Sequence, residues 1–128
     1  MYIKPAVGPL GQFLTERYGE HQGLLDIKYS AFLPYINCIR LLAIEKGIVE
    51  TSTIERVKRL LIEEEIVLRD VDTLFEQLLQ LRFTYQKRTD YQSSHYVDVK
   101  QLTFEHKKIL RKIVKRAKKL HEDIITRY

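Results

Sequence analysis

The stretch TFEHKKILRKIVKRAKKLHEDI, residues 103–124, settles the fold class of this 128-residue chain. Leu110, Ile113, Ala117, Leu120 and Ile124 recur at intervals of three and four, which lines them along one side of an α-helix. Thr103 supplies an N-cap hydroxyl at its start. The opposite face is charged: residues 107–119 hold eight lysines and arginines and no acid. The chain carries a net charge of +5, so the remainder has 14 bases against 17 acids. The positive field therefore belongs to one helix and not to the whole surface. Such a face is ordinarily solvated. The eight tyrosines do not interleave with its cations, which argues against nucleic acid as the primary ligand.

Three earlier stretches share the helical period. Pro34 fits the first turn of a helix reaching to about Lys46, where Gly47 supplies the stop. Ser52-Thr53-Ile54-Glu55 reads as a capping box, opening a helix with Ile54, Val57, Leu60 and Leu61 on its inner face. Asp70 or Asp72 caps the next, whose Leu74, Leu78, Leu81 and Tyr85 are spaced by four, three and four. Residues 91–101 are polar and aromatic, lack periodicity, and read as a loop. The expected architecture is all-α: an antiparallel four-helix bundle. A short additional N-terminal helix from Pro9 to Tyr18 is expected, with a short extended segment near residues 24–29.

That segment, Leu24-Leu25-Asp26-Ile27-Lys28-Tyr29, alternates. As a strand it places Asp26 and Lys28 on one face and Leu25 and Ile27 on the other. The 23 residues before it hold Gly8, Gly11, Gly19 and Gly23 with Pro5 and Pro9, and read as an irregular approach. The length is that of one domain. No apolar run nears the ~20 residues that span a bilayer, so no membrane association is expected. The single cysteine, Cys38, lies among Ile36, Ile39 and Leu42 as a buried thiol, consistent with a reducing, cytoplasmic setting.

Several chemistries lack their residues. No Gly-rich phosphate loop, paired-cysteine pattern or H-E-x-x-H occurs. His21, His95, His106 and His121 are scattered and read as solvated or cap-proximal groups. Arg116 and His121 have the R-x-x-x-x-H spacing of some helical ribonucleases, but five residues leave them about 140° apart around the axis. Arg40 and Arg82 are more informative, because each sits at or beside the core-facing stripe of its helix. A guanidinium there needs a carboxylate or phosphate partner. Two readings stand open: an internal ion pair with Asp26 or Asp98, or an anion-facing arginine in a groove. Gln86, one turn beyond Arg82, would extend such a groove.

Asp26-Ile27-Lys28, then Leu33-Pro34, then Ile39-Arg40-Leu41-Leu42-Ala43 resemble the helical C-terminal, substrate-binding-like domain of putative nucleotidyltransferases. The resemblance continues through Thr51-Ser52-Thr53-Ile54-Glu55-Arg56, Leu81-Arg82 with Gln86, Tyr96-Val97-Asp98, and Leu102-Thr103, and covers residues 8–128. Ser30 stands where that family carries glycine, so a close backbone approach by a ligand at this turn is not carried over. The resemblance implies a substrate-binding or regulatory domain, residues 24–128, that closes the cleft of a separate catalytic domain and contacts nucleotide or acceptor. Residues 1–23 would then be the approach from a missing upstream domain. In relatives that domain is nucleotidyltransferase-like, often with CBS and cyclic-nucleotide-binding signal-transduction modules further upstream. Its metal-binding carboxylates and Gly-Ser signature have no counterpart here, so this chain is not expected to be catalytic alone. Mg2+ and a nucleoside triphosphate belong to the full-length protein, with no cofactor in this domain. Asp26, Lys28, Arg40, Arg56, Arg82 and Gln86 are the candidate substrate-binding residues. Tyr2, Ile3, Val7, Leu10 and Phe13 form a surface through which a homodimer is conceivable. The competing readings are a nucleic-acid-binding bundle using the basic last helix, or a protein-interaction module.

Overall fold

Every periodic stretch is helical in the computed structural model, which describes residues 2–63, 68–85 and 95–127. Among the described residues the fold rests on α1 (Leu33–Glu45), α2 (Thr53–Glu63), α3 (Val71–Tyr85) and α4 (Phe104–Arg127). Their ends follow the sequence signals. Pro34 lies in the first turn of α1. After α1, Gly47 adopts φ 68°. This lets Gly47 N–H reach Ile44 O at 3.2 Å and Ile48 N–H reach Ala43 O at 2.9 Å, the paired bonds of a Schellman stop. Ser52 Oγ accepts from Glu55 N–H at 3.5 Å, and Thr103 Oγ1 accepts from His106 N–H at 3.1 Å to cap α4.

The chain is all-α apart from two short strands, β1 (Leu25–Asp26) and β2 (Tyr96–Val97). They pair antiparallel, with Leu25 opposite Val97 and Asp26 opposite Tyr96. The extended segment is thus shorter than the alternation implies. Ile27 already has helical dihedrals, and Lys28–Phe32 winds as a π-helical turn leading into α1. Lys28 is therefore not on a strand face beside Asp26. Part of the expected loop, in turn, is ordered as β2 and as a 3₁₀ turn over Val99–Gln101.

The N-terminal helix expected over Pro9–Tyr18 is not formed. Val7 bridges Phe13 instead, and Gly11, at φ 80°, closes the intervening turn while donating to Gly8 O at 3.0 Å. That left-handed position breaks any helix through the segment, and glycine adopts it without strain. The arm is bound to the bundle. Ala6 is buried, and Ile3, Val7 and Phe13 pack against the core. Arg111 of α4 donates to Gly11 O at 2.8 Å with its guanidinium 4.8 Å from the Phe13 ring.

Helix directions carry a finding that periodicity does not contain. Tyr85 at the end of α3 is hydrogen-bonded to His106 at the start of α4, so these two helices run in opposite senses. Tyr35, early in α1, bonds Ile113 O, and Glu45 at its end pairs with Arg127 at the end of α4. Helices α1 and α4 therefore run in the same general direction, and the antiparallel relation holds for α3 against α4. At 24 residues, α4 is roughly 36 Å long and reaches across the whole bundle.

The core is continuous across all four helices. Tyr35 sits at its centre with no exposed surface, its ring tilted against Phe75 at 6.1 Å and its hydroxyl donating to Ile113 O at 2.8 Å. Burial raises this phenol above the ordinary tyrosine range, opposed by Arg116. Cys38 is buried as expected, and desolvation pushes its thiol up to about 11.

Removing only the hydroxyl, in Tyr35→Phe, should cost about 1 kcal/mol, because Ile113 O keeps its intrahelical bond. Tyr35→Ala should cost about 3–5 kcal/mol by opening a cavity among α1, α3 and α4. Urea unfolding followed by circular dichroism measures both; equal losses for the two variants would contradict this placement of the ring.

Candidate functional site

A strand that becomes a helix within two residues leaves backbone N–H groups without partners. Asp26 resolves this. Its carboxylate is buried, 6% exposed, and Oδ1 accepts from Lys28 N–H at 3.0 Å and from Tyr29 N–H at 3.1 Å. Its Oδ2 accepts from Lys4 Nζ at 3.3 Å, and Lys4 also pairs with Glu16. Burial disfavours the Lys4 charge, but the two carboxylates outweigh it and hold its pKa above the ordinary lysine value. Ser30, fully buried, donates its hydroxyl to Asp26 O at 2.5 Å. Ser30 thus has a structural task, satisfying the carbonyl of the residue that caps the turn. Asp26 braces the site; it does not reach into it as a free ligand.

Lys28 and Tyr29 are the first residues of the braced turn. Lys28 Nζ lies 5.4 Å from the Tyr29 ring centroid. From α3, Arg82 places its guanidinium 4.5 Å from the ring of Phe32, in the same π-helical turn. His95 lies just before β2 and lines the same hollow as Lys28. Desolvation lowers its pKa, the charges of Lys28 and Arg82 lower it further, and Asp26 acts in the other direction. Two cations, from the π-helical turn and from α3, thus act on one imidazole. Around it His21 stacks on Tyr96, with centroids 3.9 Å apart and planes at 13°. Burial first, then the Asp26 and Glu16 carboxylates, raise the Tyr96 phenol above its usual value. Asp26, Lys28, Tyr29, His21, His95 and Tyr96 enclose about 190 Å3.

The structure thus gathers three of the six sequence candidates, Asp26, Lys28 and Arg82. Two others stand elsewhere. Arg40 is exposed on α1 and not turned to the core stripe. Arg56 donates from Nε to Glu50 O at 2.7 Å. That bond fixes the α1–α2 connection at the other end of α1, roughly 20 Å along its axis. Gln86 lies outside the described residues. The acids considered as arginine partners are used locally: Asp26 as above, and Asp98 capping the 3₁₀ turn through Lys100 N–H at 3.0 Å. Of the two readings for Arg82, the aromatic face of Phe32 replaces the internal ion pair as its support.

His21, His95 and Tyr96 were missed in the sequence. They lie about 70 residues apart and are joined by the β1–β2 pairing, in which Tyr96 stands opposite Asp26. Tyr96-Val97-Asp98 is the only local signal. His106 is cap-proximal as expected, whereas His121 is buried. Among the described residues no group of three or more His, Cys, Asp or Glu side chains is arranged to hold a metal ion. None of their helices is long and apolar enough to cross a membrane. A small hollow with a lysine and two histidines at its rim, and Arg82 acting on one of them, suits an anionic group such as a phosphate or carboxylate.

A family model described as "Putative nucleotidyltransferase substrate binding domain" matches residues 1–128. Searches of curated proteins and of solved structures give no match to this chain.

The His95 imidazole should titrate below the ordinary histidine value, as read by NMR of its ring protons. Lys28→Met and Arg82→Met should each move that titration upward, since each removes a positive charge facing the ring. If neither replacement shifts His95, the three groups do not share a site.

Proposed function

The chain belongs to the family of putative nucleotidyltransferase substrate binding domains, and on that premise we propose that it forms the substrate-side wall of a nucleotidyltransferase cleft. The catalytic domain is a separate nucleotidyltransferase region, and the braced turn at Lys28–Phe32 faces it. Lys28 and Arg82 bind phosphate oxygens of the nucleotide or an anionic group of the acceptor. His95 adds a third donor when protonated. Asp26 is a positioning residue, holding Lys28 and Tyr29 through their backbone amides. The transfer chemistry, with Mg2+ and a nucleoside triphosphate, belongs to the catalytic region. The parent protein is a cytoplasmic signal-transduction protein in which CBS or cyclic-nucleotide-binding modules report to that cleft.

The observation that carries this reading is a small hollow lined by Lys28, His95 and the buried Asp26 carboxylate, with Arg82 close enough to act on the His95 ring. Two cations from separate elements, Lys28 and Arg82, facing one imidazole favour an anion between them, and the aromatic support beneath Arg82 leaves its hydrogen-bonding edges available.

Calorimetric titration of nucleoside triphosphates into the chain, with and without Mg2+, tests the proposal. Arg82→Ala and Lys28→Ala should each weaken binding about tenfold, the loss of one charge-assisted contact. Arg40→Ala, on an exposed face, should leave affinity unchanged. Absence of binding by every triphosphate, or full affinity in Arg82→Ala, overturns it.

A further inference from the structure

The basic helix does not simply face solvent. Along α4, Lys108, Lys112, Lys115 and Lys119 occupy successive turns, one cation about every 5.4 Å. They form one wall of a groove of about 550 Å3 whose other wall is the start of α3, at Asp70 and Leu74. A second groove of about 640 Å3 continues from it past Arg69 toward Arg127. The two share Asp70, Arg116 and Lys119, so they meet end to end. Among the described residues their lining carries eight lysines and arginines against two aspartates. From Lys108 to Arg127 the path is roughly 29 Å.

The lining itself selects among polyanions. Among the described residues no aromatic side chain lines either groove, so they offer the bases of a single strand no ring on which to stack. Among the described residues Leu74 is the one apolar lining residue and is itself buried, so they offer a protein partner no apolar anchor of the kind that dominates binding energy. What remains is a regular row of cations, all that backbone contact with a duplex requires. Two of the arginines are tied back by the fold, Arg111 to Gly11 O and Arg116 to Arg69 O at 3.3 Å. The lysines are exposed, and the pair of Lys119 with Asp123 at 3.2 Å is solvent-accessible and weakly held.

We propose that this groove is a sequence-independent docking surface for the phosphodiester backbone of a nucleic acid duplex. It shares no residue with the hollow around Lys28, His95 and Tyr96, and its fate is independent of the nucleotide-site reading.

Fluorescence anisotropy with labelled duplex RNA and duplex DNA, using the full chain, tests it. With four phosphates neutralised by the lysine row, affinity should fall roughly 100-fold between 50 and 200 mM salt. In the triple variant Lys108→Gln, Lys112→Gln, Lys115→Gln the same change should cost only about fourfold, with helical content unchanged by circular dichroism. Replacing the exposed Lys46, Lys58 and Arg59 by glutamine, an equal loss of charge elsewhere, should leave the steep dependence intact. Comparing the two duplexes identifies whether the source is RNA or DNA. No duplex binding at 50 mM salt, full salt dependence in the folded triple variant, or equal affinity for polyglutamate overturns the proposal.

Discussion

A buried carboxylate at residue 26 is the constraint on which the junction of the N-terminal arm, the two strands and α1 depends. A two-residue strand must give way to a helix without leaving amides unsatisfied, and the Asp26 side chain takes the amides of Lys28 and Tyr29. A carboxylate so removed from water is tolerable because it is fully engaged, with the Lys4 ammonium on its other oxygen. The same residue fixes three segments at once. Its backbone pairs with Tyr96, its side chain anchors the N-terminal arm, and its carbonyl receives Ser30. From there the chain runs through Ala31 to Tyr35, whose burial and bond to α4 make the turn continuous with the core. The positions of Lys28 and Tyr29 are thus inherited from packing and not from their own contacts.

Three groups of cations in this chain differ in their physics. Lys4, Arg56, Arg111 and Arg116 are consumed by the fold, each donating to a carboxylate or backbone carbonyl that joins separate segments. Lys28 and Arg82 are supported through aromatic rings, which leaves their donors directed elsewhere. The lysines of α4 lie along a groove and not on a convex face. A count of charge, +5 on 128 residues, does not separate these groups. The surroundings of each cation do.

Much of the architecture was legible because it depends on local signals. Pro34, Gly47, Ser52 and Thr103 mark helix ends through steric or capping chemistry complete within a few residues. The stripes of α1 to α4 became the core, Cys38 included. Misreadings arose where non-local contacts outweighed local pattern. Pro9–Tyr18 has the composition of a short helix, but the Val7–Phe13 bridge and the left-handed Gly11 draw it into a turn packed on α4. Leu24–Tyr29 alternates like a strand, but a partner strand of only two residues, Tyr96–Val97, limits its extended part. Arg40 and Arg82 looked alike by periodicity, and only one meets an aromatic face from a neighbouring element.

By itself the sequence determined the helices, their caps, the apolar faces that must be buried, and the family to which the chain belongs. These follow from spacing and short-range chemistry, which a linear string carries in full. Tertiary structure alone decided that α1 and α4 run in the same direction and that His21 and His95 come to the rim of the Asp26 turn. It also decided that the basic face of α4 borders a groove. Each of these is a juxtaposition of residues tens of positions apart. Such contacts form through the collective packing of the core, and no local periodicity encodes them.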